Sequence, residues 1–212
     1  MNFISGNPEE CISLPKLRDT LIRLEDTIIF ALIERAQYSV NKNIYEPGMY
    51  KYEQSKGFDG SFLEYFLSEV EKVHGDDQNY GSAATRDVEC LQALSQRIHY
   101  GKFVAEAKFR DPELQHKYIE YIKNRDVEAI ETLLTNKKVE DALLRRLRRK
   151  ALIYGQDITE HGGINLDNLQ TTQHLKIKVD VVVELYEKWV IPLTKQVEVE
   201  YLLIRLDNEK KK

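Results

Sequence analysis

The predicted fold is built around residues 79–109, whose sequence is NYGSAATRDVECLQALSQRIHYGKFVAEAKF. Read with a helical period, this segment places Arg97 and Lys108 on one stripe, about three turns apart. The stripe positions between these two cations include the small residues Gly101 and Ala105. We therefore expect a hollow with positive charge at both ends, which suits a compact anion.

The two ends of this helix are also marked in the sequence. Tyr80, Gly81 and Ser82 are typical of a helix start, with Ser82 as the N-cap. Pro112 ends the helix near Phe109, because the residue before a proline avoids helical backbone angles.

The rest of the chain follows helical periods as well. Further helices are predicted at about residues 15–37, 62–73, 113–124, 127–134, 137–154 and 179–206. Pro192 should kink the last of these helices, since it interrupts the backbone hydrogen bonding. Residues 38–60 and 155–175 are rich in turn formers and predict connecting loops. With only 5 prolines and 10 glycines, the chain is predicted to be all-α.

The composition describes a soluble globular protein, with 42% apolar and 31% charged residues. A net charge of −4 does not favour nucleic acid as a partner. The two cysteines, Cys11 and Cys90, are too few for a disulfide framework and predict reduced thiols in the cytoplasm. The longest apolar run, residues 28–33, is too short to span a bilayer, and the N-terminus does not resemble a signal peptide.

Few residues have a pattern that indicates chemistry. The five histidines are scattered without metal-ligand spacing, and the chain has no glycine-rich phosphate loop and no local cysteine-nucleophile signature. What remains are two polar pairs with i, i+4 spacing, Asn136 with Glu140 and Thr194 with Glu198. Taken alone, either pair is more often an ordinary surface pair. Arg18, taken alone, is more often a solvated surface cation.

A basic run at Arg145–Lys150 raises a second possibility, a helical module that binds nucleic acid or an acidic partner. The simpler interpretation is a solvated helix face whose cations pair with nearby acids such as Asp141. The negative net charge and the lack of aromatic residues in the run weigh against nucleic-acid binding.

Five motifs along the chain resemble the fungal-type chorismate mutases. They are RLEDTIIF (23–30), IERA (33–36), GSAATRDVECLQ (81–92), RIHYGKFVAEAKF (97–109) and IPLTKQVEVEYLL (191–203). The resemblance covers nearly the whole chain in the same order. It implies a single domain over residues 1–212, an all-α multi-helix bundle with a long central helix and a kinked C-terminal helix, and a homodimer.

The resemblance also implies an isomerase that converts chorismate to prephenate, on the route to phenylalanine and tyrosine. This rearrangement occurs within one molecule, without cofactor or covalent intermediate. Catalysis then comes from holding a folded substrate conformer and stabilising the charge that develops in the transition state.

Matching positions imply a role for each site residue. Arg18 and Arg97 hold the two carboxylates of the substrate, and Lys108 donates to the ether oxygen. Glu140 accepts from the substrate hydroxyl, and Asn136 and Thr194 give supporting polar contacts. Glu198 faces the same ether oxygen as Lys108. Because a carboxylate there would repel the growing negative charge, we predict a protonated Glu198 with a raised pKa.

An effector site is the last feature that the resemblance implies. Family members bind tryptophan as activator and tyrosine as inhibitor, and Asn79, Gly81, Ser82 and Thr85 match one side of that site. Its place at a helix N-terminus suits the carboxylate of an amino acid. The family has several dozen more residues between the positions of His74 and Gly75, a segment that contributes to the dimer interface and to the regulatory site.

A fold-retaining but inactive regulatory protein is a further alternative, although every matched catalytic position is chemically intact.

Overall fold

The computed structural model describes residues 12–45, 75–156 and 175–207. The described residues form eight α-helices and one 3-10 helix. They are α1 (Leu14–Arg35), the 3-10 helix (Lys42–Tyr45), α2 (Tyr80–His99), α3 (Gly101–Phe109), α4 (Gln115–Asn124), α5 (Val127–Leu134), α6 (Lys137–Tyr154), α7 (Val179–Leu185) and α8 (Ile191–Arg205). The predicted helix at 62–73, most of the two predicted loops, and Cys11 lie outside the described residues.

The all-α prediction is confirmed. Within the described ranges the pairing of extended backbone is limited to an isolated bridge between Gln156 and Leu175. Helix α6 begins and ends where its apolar period predicts. Asp126 caps α5 by accepting a hydrogen bond from the Ala129 N–H at 3.0 Å.

The central helix differs from its prediction at both its start and its middle. It begins at Tyr80, so Ser82 lies inside the helix and is not the N-cap. The turn before it is held by Asp77, which accepts from the Asn79 N–H at 2.9 Å and lets the helix begin earlier. In the middle, α2 and α3 are separated at Tyr100, whose carbonyl accepts from Phe103 N at 3.1 Å in a tighter i→i+3 bond.

Pro192 interrupts the C-terminal helix as predicted. It lies in the first turn of α8, which continues directly from a π-helical turn. A π-helical turn, Tyr186–Val190, comes directly before α8 and separates it from α7. The wider turn shifts the backbone pairing around the residue that cannot donate.

The chain divides into two compact units. Unit 1 comprises residues 1–24, 95–140 and 190–212, and unit 2 comprises residues 25–94 and 141–189. In unit 1, helices α3, α4, α5 and α8 share an apolar core made of Ala105, Phe109, Tyr118, Ile122, Ile130, Leu134, Val199 and Leu202.

Unit 2 has its own buried residues, including Ile29, Leu32, Leu147 and Leu185. It also buries charge. Glu25 is fully buried and accepts two hydrogen bonds from Arg146, at 2.7 and 2.9 Å.

Candidate active site

Helices α3 and α8 of unit 1 approach closely at Gly101. A Cβ atom at this glycine would lie 3.1 Å from Glu198 Cγ, Thr194 Cγ2 and the Thr194 carbonyl oxygen. The small residue therefore lets α8 pack tightly and brings two predicted site residues against α3. At Gly101 itself the predicted hollow is closed, because Thr194 and Glu198 of α8 lie against this glycine.

Arg97 is buried near the end of α2, with 6% of its surface exposed. Its Nη1 donates to Thr194 Oγ1 at 3.5 Å, and that hydroxyl donates to the Val190 carbonyl at 2.6 Å. The Nε of Arg97 is buried and has no hydrogen-bond partner within the described part of the chain. A buried guanidinium with a spare donor is suited to a carboxylate, which its planar fork can bind at two points.

Lys108 and Glu198 form the second part of the site. The Lys108 ammonium donates to the Leu134 carbonyl at 2.7 Å and lies 3.6 Å from Glu198 Oε2. Only 7% of Glu198 is exposed. Burial raises the pKa of Glu198, although the charges of Lys108, Arg97 and Lys195 oppose the shift. The direction agrees with the prediction that Glu198 is protonated, since burial disfavours the charged form.

Glu140 lies at the first turn of α6, and α8 supplies its nearest cation. Lys195 Nζ lies 2.9 Å from one carboxylate oxygen of Glu140, and Lys137 Nζ lies 4.0 Å from the other. Lys195 was not predicted from the sequence, where its only signal is its position next to Thr194.

Two predicted site residues stand apart from these contacts. Asn136 is exposed and accepts from the Val139 N–H at 3.3 Å, so its side-chain oxygen caps α6. Arg18 is exposed on α1 and has no ion-pair or hydrogen-bond partner among the residues described. Both belong to unit 1, as do Arg97, Lys108, Glu140, Thr194 and Glu198.

The predicted effector residues lie together at the start of α2, in unit 2. Asn79, Gly81, Ser82 and Thr85 are all exposed, and Thr85 Oγ1 donates to the Gly81 carbonyl at 2.9 Å. Asp76 is close by and accepts from the Tyr80 hydroxyl at 2.8 Å. The segment thus combines the positive end of a helix with a carboxylate, the two charges that complement an amino acid.

The basic run on α6 is largely engaged within unit 2. Arg146 and Lys150 pair with Glu25, and Arg148 Nη1 lies 2.8 Å from Asp180. These acids come from α1 and α7. Three cations of the run therefore have acidic partners in the same unit.

Neither a metal site nor a membrane-spanning helix is found in the described ranges. No group of histidine, cysteine or acidic side chains there has the arrangement of a metal site. No helix in those ranges is long and apolar enough to cross a membrane.

Comparison with known proteins identifies the family. The family described as chorismate mutase type II matches residues 79–199, which is more than half of the chain. The chain belongs to the chorismate mutase family. Relatives from Pichia angusta and Saccharomyces cerevisiae, both chorismate mutases, are each 36% identical to it. The alignments cover 99% of this chain and 92% of the Pichia protein, and 94% of this chain and 98% of the Saccharomyces protein.

Solved chorismate mutases share the fold. The structure from Candida albicans, in complex with L-Trp, has a TM-score of 0.77 and 32% identity, and the match covers 95% of this chain and 94% of that one. The chorismate mutase AtCM1, with tyrosine bound in its allosteric site, has a TM-score of 0.70 and 32% identity, with 94% and 99% coverage. The activity predicted from the sequence motifs, an isomerase of the chorismate mutase type, is therefore confirmed.

The alignment with the Pichia relative also bears on chain length. It spans 274 positions although this chain has 212 residues, so at least 62 of its positions hold no residue of this chain.

Proposed function

We propose that the polar residues of unit 1 form the chorismate mutase site and that the Lys108–Glu198 pair stabilises the transition state. The observation that carries this is the 3.6 Å separation between Lys108 Nζ and a buried Glu198 whose pKa burial raises. An ammonium beside a protonated carboxyl presents two donors to one oxygen. Negative charge that develops on the ether oxygen of chorismate is stabilised by both donors.

Arg97 and Arg18 are proposed to hold the two substrate carboxylates. Arg97 supports this role by its burial and its spare Nε donor. Arg18 contributes from the exposed side of α1, and Glu140 accepts from the substrate hydroxyl. Asn136 and Thr194 give supporting polar contacts. Holding both carboxylates selects the folded conformer, which removes part of the entropic cost of the reaction. No step in this scheme uses a cofactor.

The test is the rate of chorismate loss with Lys108→Met, which keeps the length of the side chain without its donors. We expect kcat to fall about 100- to 1000-fold, as for the removal of one donor from an oxyanion site. Lys117→Met, at an exposed position on α4, is the matched control and should keep the original rate. A Lys108→Met enzyme that is as active as the control would refute the assignment.

We also propose that tyrosine inhibits and tryptophan activates this enzyme through Asn79, Gly81, Ser82 and Thr85. The support is their common position at the start of α2 and the amino-acid complexes of the Candida and AtCM1 proteins. The rate at limiting chorismate should fall with added tyrosine and rise with added tryptophan. If neither amino acid changes the rate, the regulatory proposal fails and the catalytic one stands.

Further proposals concern the organisation and location of the protein. We infer one domain over residues 1–212, without the family segment between His74 and Gly75. We also infer a homodimer, and sedimentation at several protein concentrations would test this. The length of the alignment with the Pichia relative supports the missing segment. We also propose a cytoplasmic location, although some relatives are named as chloroplastic. Nucleic acid and membranes are not proposed as partners.

A further inference from the structure

A second buried carboxylate lies on α3, outside the proposed site. Only 6% of the Glu106 side chain is exposed. Its Oε2 accepts from the Tyr201 hydroxyl and from Arg205 Nε, both at 2.7 Å. Its Oε1 accepts from Arg110 Nε at 2.8 Å and from Arg205 Nη2 at 3.2 Å. One carboxylate is thus held by three side chains, two of which come from α8.

These bonds fix how α8 lies along α3. Tyr201 and Arg205 are one helical turn apart on α8, and both converge on the same carboxylate. Arg205 also lies over the Phe109 ring, with its guanidinium carbon 5.1 Å from the ring centroid. Sliding α8 along its axis by even a fraction of a turn would break several of these contacts at once.

Helices α3 and α8 also make contacts on the side of α3 that faces away from Glu106. Ala105 is fully buried in the core that α8 shares. With 100° per residue, Glu106 and Lys108 project on either side of Ala105. Glu106 reaches Tyr201 and Arg205, and Lys108 reaches Glu198. The two helices are therefore joined by polar contacts on both sides of their apolar seam.

The distance between the two polar contacts along α8 is short. Glu198 precedes Tyr201 by three residues and Arg205 by seven, about 4.5 Å and 10.5 Å along the axis. Because a helix of this length moves nearly as a rigid rod, any axial shift at Arg205 moves Glu198 by the same amount relative to Lys108. Gly101 lets α8 pack closely, and the bonds of Glu106 to Tyr201 and Arg205 oppose an axial shift of α8.

Stability alone does not explain a buried cluster of this kind. A buried ion pair is often no more stabilising than apolar side chains of the same volume, and its best-attested role is to fix register. Here the register of α8 on α3 determines how Glu198 is placed against Lys108.

We propose that Glu106 is a positioning residue for the rearrangement: by holding Tyr201 and Arg205 it sets the register of α8 on α3, and hence the placement of Glu198 against Lys108. The inference rests on the proposed function of that pair. Glu106 itself does not contact the substrate.

The experiment measures kcat and KM for chorismate in Glu106→Gln, which keeps the shape and removes the charge. We expect kcat to fall about 10- to 100-fold with KM changed less than about threefold, since a shift of about 1 Å in a reacting group has an effect of this size. Glu120→Gln, at an exposed position on α4, is the matched control and should leave both constants unchanged.

A double-mutant cycle separates positioning from a general loss of structure. If Glu106 acts through Glu198, Glu106→Gln should lower kcat by no more than about threefold in the Glu198→Ala background. An equal loss in both backgrounds would overturn the proposal, and so would full activity of Glu106→Gln.

If circular dichroism shows that Glu106→Gln does not fold, Tyr201→Phe replaces it in the cycle. We expect a loss in kcat of about 3- to 10-fold from this milder change, and an unchanged kcat would overturn the proposal.

The same set of variants distinguishes this inference from the proposed function. If Glu198→Ala and Lys108→Met keep full activity, the proposed function itself is wrong. If they lose activity while Glu106→Gln keeps it, only the positioning role is wrong.

Discussion

Two buried glutamates in unit 1 have opposite pKa shifts, and their partners explain the difference. Burial would raise the pKa of Glu106, but hydrogen bonds from Arg205, Tyr201 and Arg110 outweigh it and lower the value to about 2. Burial also raises the pKa of Glu198, and there the nearby cations do not reverse the direction. The helix pair therefore holds one carboxylate whose ionised form is stabilised and one whose neutral form is more favoured than in an exposed glutamate.

The state of Glu198 predicts the pH dependence of the reaction. With a raised pKa, Glu198 keeps its proton in mildly acidic solution and loses it as the pH rises, so activity should fall with rising pH. Glu198→Gln supplies an N–H donor at every pH and should keep its activity at neutral pH without the acid preference. The measurement is kcat between about pH 5 and pH 9.

The control for this experiment is Glu120→Gln, which should reproduce the pH profile of the unchanged enzyme. If Glu198→Gln shows the same fall in activity with rising pH, another group titrates and the protonated-glutamate scheme is wrong.

At the residue scale, Arg97, Lys108, Thr194 and Glu198 were predicted as site residues, and the structure brings these four close together around Gly101. Glu106 was not predicted. The spacing of Glu106 to Arg110 and of Tyr201 to Arg205 is visible in the sequence. What joins the two pairs is a contact across 99 residues, which no local pattern encodes.

At the scale of helices, the contact of α3 with α8 depends on Gly101. An added methyl group would lie 3.1 Å from Glu198 Cγ and from the Thr194 carbonyl oxygen, closer than ordinary van der Waals contact. Thr194 is held in place by its own bond to Val190, so α8 must move by a few tenths of an ångström.

Gly101→Ala should therefore lower both stability and activity. Overpacking of a tight interior costs about 1–3 kcal/mol of unfolding free energy, and displacement of Glu198 should lower kcat about tenfold. Thermal unfolding and chorismate turnover measure the two effects.

Gly81→Ala is the matched control for stability. A Cβ at Gly81 meets nothing within 4 Å, so alanine in this exposed helical position should stabilise the protein by about 0.5–1 kcal/mol. If Gly101→Ala stabilises the protein as Gly81→Ala does, the close approach of α8 has no energetic importance.

Some helix ends were predictable from the sequence and others were not. The apolar period gave the bounds of α6 and the interruption at Pro192, because both depend on residues within one segment. The start of α2 was misplaced, since Asp77 ahead of the helix, and not Ser82 within it, organises the turn. The contact of α8 with Gly101 was not predicted for a similar reason: Thr194 and Glu198 lie more than 90 residues away in sequence.

At the scale of the whole molecule, Glu106 also predicts how stability changes in acid. The folded state holds its pKa at about 2, below the ordinary value of 4.5, so the unfolded chain binds more protons between these values. Stability therefore rises with pH in this range. The contribution is fully present above about pH 4.5 and is lost as the pH falls toward 2.

Urea unfolding at several acidic pH values tests this. The midpoint for the unchanged protein should fall steeply from pH 4.5 toward pH 2.5, and the fall should be shallower for Glu106→Gln. The pKa of Asp77 is also lowered, mainly by the hydrogen bond from the Ser39 N–H. Part of the fall in the urea midpoint with falling pH therefore remains in both proteins. Equal slopes would show that Glu106 does not carry the acid dependence.

The relatives align over nearly the whole chain, whereas the proposed catalytic and substrate-binding residues all lie in unit 1. The most direct test of the central assignment is the loss of chorismate absorbance with the purified protein and with Arg97→Ala. Removing the buried guanidinium takes away the partner of a substrate carboxylate. We predict turnover by the unchanged protein and a loss of about 100-fold or more in kcat/KM for the variant. No turnover by the unchanged protein, or equal turnover by Arg97→Ala, would contradict the assignment.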